Sequence, residues 1–172
     1  MEQNEPKTGK YALTYGLILG GIGVVFSVML YMMDMIYEKN PVQSIISIAA
    51  ALIVIFLGVF NYKKENEGFL SVKEAIKIGT GIGVIAALIS IVYILILANI
   101  LEPEFWDKTF EAGRQTIIDT NPQLSDEQID QAIEMQKSMK WITYPSIIIM
   151  NTLFGLIIGL LSGIILKKNR EA

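Results

Sequence analysis

The chain has 172 residues, of which 52% are hydrophobic and 18% charged, with a mean hydropathy of +0.48 and a formal net charge of -3. It contains neither cysteine nor histidine. Disulfides and thiolate chemistry are excluded, and so are the commonest general base and the commonest transition-metal ligand. A soluble domain of this length would carry more charge and spread it more evenly, so the composition points to a membrane protein of one compact domain.

Glu2 and Glu5 make the first residues acidic where a cleaved signal would be basic, and the apolar run that follows is too long for a signal core. That run, 11–33, carries no charge until Asp34. A short connection, 34–41, leads to a second apolar run at 42–62, which makes the first two an antiparallel hairpin. The third run is 76–101, with Lys77 at its start, and the fourth is 141–166. Each reaches the roughly 20 residues that cross about 30 Å of hydrocarbon at about 1.5 Å per residue. Lipid offers no partner to backbone N–H and C=O groups, so such runs are helices or strands of a closed barrel. None has the alternation of a barrel strand. The expected fold is an all-α membrane protein, a bundle of four transmembrane helices.

The connections carry their own signals. Ser71 and Glu74 have capping-box spacing just ahead of the third run, so that helix should begin before it enters lipid. Residues 102–140 form the one sizeable polar segment, and two helices are expected in it. Pro103 suits the first turn of one, with Glu102 and Glu104 at its positive end. Trp106, Phe110, Gly113 and Ile117 share a face, and Asn121-Pro122 ends that helix. Ser125 and Gln128 form a second capping box. The helix it starts has an apolar stripe at Ile129, Ala132, Ile133, Gln136 and Met139, and is expected to run into the fourth span with a kink at Pro145. Trp141 and Tyr144 suit the aromatic belt at a membrane surface.

Lys and Arg set the expected orientation. The tails and the middle loop hold nine, including Lys7, Lys10, Lys63, Lys64 and Arg170; the other side holds five, including Lys39, Lys108 and Arg114. The acids split the opposite way, leaving the first side at +3 and the second at -6. Both termini are therefore expected in the cytoplasm and segment 102–140 outside, in a bacterial inner membrane.

The two halves are alike. Gly21-Ile22-Gly23-Val24-Val25 in the first run matches Gly81-Ile82-Gly83-Val84-Ile85 in the third, and Lys63-Lys64-Glu65-Asn66 matches Lys167-Lys168-Asn169-Arg170. A parallel duplication of one hairpin would account for this; so would the general likeness of apolar segments. Small residues recur at four-residue spacing: Ala12, Gly16 and Gly20; Ala75, Gly79 and Gly83; Gly155, Gly159 and Gly163. Such stripes let helix backbones approach closely, within a bundle or across a dimer. The anchoring partner is the bilayer, with a homo-oligomer or another membrane protein as the further partner and no nucleic acid.

Chemistry finds little support. Ionisable residues at membrane depth usually mark an ion or proton path, and the spans hold almost none. Asp34, Asn99 and Asn151 are the candidates for a polar path, with Ser27, Ser47, Ser90, Thr152 and Ser162 as milder polar groups and Tyr31 and Tyr93 expected in the outer half of the bilayer. There is no H-E-x-x-H or G-x-S-x-G motif, and no acidic spacing matches a cation-binding loop. Gly21-Ile22-Gly23 follows no strand and is no dinucleotide fingerprint. Neither catalytic residues, nor metal ligands, nor a cofactor are expected.

Two stretches carry a resemblance: Gly68-Phe69-Leu70-Ser71-Val72-Lys73-Glu74-Ala75-Ile76-Lys77-Ile78-Gly79, and Ser125-Asp126-Glu127-Gln128-Ile129-Asp130-Gln131-Ala132-Ile133-Glu134-Met135-Gln136. With their order and spacing, the chain resembles, over almost its whole length, a domain-of-unknown-function family of small bacterial membrane proteins. The resemblance implies four spans with an acidic loop before the last, and carries no activity over. The expected function is non-enzymatic, acting through helix and loop contacts as a homo-oligomer or an accessory subunit. The alternative is a small transporter or ion carrier working as an oligomer, which would need a polar cavity reaching the middle of the bilayer. A reporter fused at Thr120 should give an extracytoplasmic signal; a cytoplasmic one would invert the orientation.

Overall fold

The structure is a computed structural model and describes residues 6–38 and 40–169. Glu2, Glu5, Lys39 and Arg170, which enter the charge balance, lie outside the described residues. Six α-helices run in chain order: α1 (Thr8–Met32), α2 (Pro41–Glu65), α3 (Val72–Ile96), α4 (Phe105–Thr120), α5 (Asp126–Ser138) and α6 (Thr143–Leu166). Four stretches, Thr8–Met32, Pro41–Glu65, Val72–Leu101 and Lys140–Leu166, are long and apolar enough to cross a membrane. All four exceed the apolar cores read from the sequence, because capped or polar turns extend them beyond lipid.

Local chemistry sets the boundaries. Both capping boxes form: the Ser71 side chain accepts from the Glu74 N–H while Glu74 reaches back to the Ser71 N–H, and Ser125 and Gln128 do the same for α5. Asn40 caps α2, whose first residue is Pro41, a position where the missing N–H costs nothing. Two expectations need correcting. Pro103 stands in the turn before α4, which starts at Phe105 behind Glu104. The break before the last span is at residues 139–142, where α5 ends and a 3-10 turn, Lys140–Ile142, intervenes. Pro145 falls instead in the first turn of α6, whose N–H groups lack intrahelical acceptors anyway, so it need not kink the helix.

Helix α3 is the axis of the bundle. Against α6 it packs backbone to backbone: a Cβ on Gly79 would collide with the Gly155 carbonyl oxygen, one on Gly155 with the Gly79 carbonyl oxygen, and one on Gly83 with the Asn151 carbonyl oxygen. A Cβ on Gly159 would lie 2.7 Å from the Ala75 oxygen. Against α1 the contact differs. Glycines of α1 receive α3 side chains, Ile85 over Gly16 and Ile89 over Gly20, while Ala12 faces Gly81. All seven small-residue positions at 16, 20, 79, 83, 155, 159 and 163 are thus engaged within one chain. The likeness of the two halves does not extend to packing, since the counterpart of tightly packed Gly83 is Gly23, where a Cβ would meet nothing within 4 Å.

The bundle is closed at one end and parted at the other. The closed end gathers the tails and the loop before α3: Leu70 and Lys168 exchange two backbone hydrogen bonds of 2.9 and 3.0 Å, and Lys10 pairs with Glu65 at 3.6 Å. Ile55, Val59, Tyr62, Leu70, Ile78 and Ile82 are buried there, and Tyr11 meets Tyr62 edge to face at 5.3 Å. Toward the other end α2 loses its neighbours. Residues 44–49 are all exposed, whichever way they point, whereas Val54, Ile55, Gly58 and Val59 nearer its C-terminus are buried. The α4–α5 pair lies at this parted end, held together by Arg114 of α4 with Asp130 and Asp126 of α5 and by buried Phe110, Ile129 and Ile133.

Replacing Gly83 or Gly159 by Leu forces a side chain into a backbone contact. The cost should reach or exceed the about 1–3 kcal/mol of an overpacked core. Thermal unfolding in detergent should show both variants strongly destabilised, with Gly21→Leu close to the parent because a Cβ there meets nothing within 4 Å.

Candidate binding crevice

Where α2 parts from α1 and α3, two connected chambers open. The deeper one, of about 270 Å³, lies among Gly20, Ser27, Ser47, Ala50, Ser90 and Asn151, drawn from all four spanning helices. It reaches Gly20, half-way along α1. The other, of about 500 Å³, continues toward the α4–α5 end past Tyr93, Tyr37, Phe105, Thr109 and Gln136. Gly23, Ser27 and Ser90 line both, so the chambers join at these three residues.

The walls are mostly apolar and the polar groups mild. Ser47 donates to the Gln43 carbonyl, Ser90 to the Ala86 carbonyl and Asn151 to the Ile147 carbonyl, each one turn back on its own helix. Their donors are satisfied, which is how a helix carries polar groups in lipid at low cost. Tyr93 differs. Its hydroxyl is shut off from solvent and has no hydrogen-bond partner among the described residues, a condition that costs about 1–3 kcal/mol. Among the described residues no lysine or arginine lines either chamber, and Glu38, near the α4–α5 end, is the one acid.

Near that end an ion pair ties the segment after α3 to α4, and ring contacts join Tyr37 of the α1–α2 connection to it. A π-helical turn, Leu97–Leu101, brings Glu102 round so that its N–H donates to the Leu97 oxygen at 2.7 Å. The Glu102 carboxylate, 12% exposed, pairs with Lys108 of α4. Lys108 also lies 6.0 Å above the Tyr37 ring, and Tyr37 contacts Phe105 at 6.0 Å. Lys108 first, and Tyr37 after it, hold the Glu102 carboxyl below its usual range. Burial, with the carboxylate beside it, pushes the Tyr37 hydroxyl well above the usual phenol range.

The three residues read as a polar path are not brought together. Asp34 stands in the turn after α1 in a left-handed conformation (φ 56°). Asn99 is exposed and donates to the Leu95 oxygen of its own helix at 2.7 Å. Asn151 alone lines the crevice. Sequence reasoning missed the Tyr37–Glu102–Lys108 cluster, because Lys108 lies six positions after Glu102 across a turn and no helical spacing announces the pair. It also gave Gly23 no role apart from the repeat; the signal, a glycine without a close neighbour, exists only in three dimensions. Among the described residues no group of three or more acidic side chains is placed to share a metal ion.

A family model described as a protein of unknown function, DUF4199, matches residues 14–168. The chain belongs to this family. The match takes in the first span from residue 14 on, the other three spans and the α4–α5 segment, so the crevice lies within the family domain. No curated protein matches the chain, and no solved structure matches it.

A carboxyl whose pKa is lowered by folding stabilises the fold above the unfolded value, about 4.3 for Glu, and that contribution fades as pH falls through the lower folded value. In a Trp141→Phe background, emission from Trp106, which packs on Phe105 and Tyr144, should stay constant from pH 7 to about 5 and shift red below about 4. Glu102→Gln should remove that step, leaving the emission red-shifted throughout.

Proposed function

We propose that this DUF4199 protein is a non-enzymatic membrane protein that works through contacts, as a homo-oligomer or as an accessory subunit of a membrane assembly, with α2 as its contact helix. The observation that carries the reading is the exposure of residues 44–49 of α2 on every side. A spanning helix left unbraced for nearly two turns gains van der Waals contact by packing on another helix. An apolar groove of about 390 Å³ between α2 and α6, walled by Ile53, Phe56, Leu57, Leu161 and Ile165, continues that face toward the closed end. The absence of histidine and cysteine supports the non-enzymatic part. The excess of lysine and arginine in the tails and middle loop supports cytoplasmic termini and an external α4–α5 pair in a bacterial inner membrane.

The second reading is a small carrier working as an oligomer, favoured by the depth of the crevice at Gly20 and Asn151. Such a carrier would have to part the core of Ile55, Val59, Tyr62, Ile78 and Ile82 that closes the other end.

The natural chain has no cysteine, so single cysteines report cleanly. In native membranes Ile53→Cys and Ile45→Cys should crosslink to a second copy or to one defined partner, while exposed Val25→Cys on α1 should not. Equal crosslinking at all three would remove α2 as a specific contact. A Val59→Cys that reacts with an aqueous maleimide would favour the carrier, and an unreactive one the contact protein.

A further inference from the structure

We propose that the crevice between α1, α2 and α3 is a binding site for a neutral single-chain amphiphile, with its tail in the deeper chamber and its hydrogen-bonding head beside Tyr93. Both chambers are open clefts, and their apolar linings gain dispersion contacts from a chain that fills them. Chambers of about 270 and 500 Å³ are in the size range of ligand pockets. Their position half-way along the spans, with mainly apolar walls, suits an acyl or isoprenoid chain better than a cluster of waters, each of which needs about 2–4 polar partners.

Three observations define the occupant. Gly23 lies where the chambers join, and a Cβ on it would meet nothing within 4 Å. Its missing side chain therefore admits no helix, unlike those at Gly16 and Gly20, and leaves the passage open. Tyr93 lines the wider chamber, and its hydroxyl, buried and unpartnered among the described residues, reaches a head group there by a turn of the side chain. Gln136 of α5 stands in the same lining with an amide that both donates and accepts. Among the described residues no cation lines either chamber, and Glu38 adds a negative charge near the head position. A carboxylate or phosphate head beside Tyr93 would face Glu38, while the nearby Lys108 is already paired with Glu102, which disfavours an anion there. The deeper chamber, at about 270 Å³, has room for one chain rather than two. The site shares Ile46 and Ser47 with the exposed stretch of α2, is distinct from the groove between α2 and α6, and requires no transport.

The full-length protein in detergent should be labelled by a monoacylglycerol bearing a diazirine in its tail, with adducts mapped by mass spectrometry to residues around Gly23, Ser27, Ser90 and Asn151. Unlabelled monoolein should compete at least tenfold better than oleate. Gly23→Leu should cut labelling at least tenfold, and Gly21→Leu, on an exposed position with equal room for a Cβ, should leave it unchanged. Both changes favour the helix, and thermal unfolding of the two variants checks that each remains folded. Tyr93→Phe should weaken labelling while leaving its position unchanged. Equal labelling of the Gly23→Leu variant and the parent overturns the site. Equal competition by oleate overturns the neutral head. Equally strong labelling of the crevice by a diazirine-bearing phosphatidylglycerol identifies an ordinary lipid-filled cleft and also overturns the proposal.

Discussion

The direct apposition of the α3 and α6 backbones is the contact on which the rest of the molecule depends. Gly79 and Gly155 each present a carbonyl oxygen where the other's Cβ would be, and Gly83 lies against the Asn151 carbonyl. In lipid no hydrophobic force drives helices together, since the tails are as apolar as leucine, so van der Waals contact between closely approaching backbones must supply the attraction. That contact makes α3 the axis, and α1 then packs on a second face of it by a looser device, isoleucines seated over glycines.

Once α3 has α6 on one face and α1 on another, α2 is the helix left over. It is held at the closed end by its own buried C-terminal half, where Gly58 admits Ile82 at 2.9 Å from the position of a Cβ, and by Asn61 donating to the Tyr15 hydroxyl at 2.6 Å. Toward its start nothing comparable holds it. Gln43 donates to the Met35 carbonyl at 3.3 Å, but residues 44–49 are all exposed. The splayed helix creates both features that bear on function. On its outer side it offers an unpartnered surface. On its inner side it leaves the crevice, which α4, α5 and the Tyr37–Glu102–Lys108 cluster border at the end remote from the termini. The contact reading and the bound amphiphile thus have one structural origin and remain separable in experiment, because Ile53 lines the groove toward α6 and Gly23 lines the crevice.

Much of this architecture was legible in the residues themselves. Uninterrupted apolar runs dictate helices, because lipid leaves backbone groups no other partner. Ser71 with Glu74, and Ser125 with Gln128, marked helix starts correctly because a capping box is completed within four residues. Where a residue's effect depended on what stood beside it, the reading failed. Pro103 and Pro145 were placed by local preference, yet the chain turns at 103–104 and breaks at 139–142. Asp34, Asn99 and Asn151 share only their polarity at span depth, and helical rotation points the Asn99 side chain to its own backbone and away from the bundle.

The sequence by itself determined that this protein is a four-span helical membrane protein with a capped helical pair before its last span, because these properties follow from the solvation of backbone and side chains along a local stretch. Only the tertiary structure decided which glycines are contacts and which are spaces. Gly21, Gly23, Gly81 and Gly83 read alike in the chain, yet Gly83 meets a backbone carbonyl, Gly81 meets Ala12, and Gly21 and Gly23 meet nothing. A missing side chain takes its meaning from what occupies the vacated volume, and that is set by helices distant in sequence.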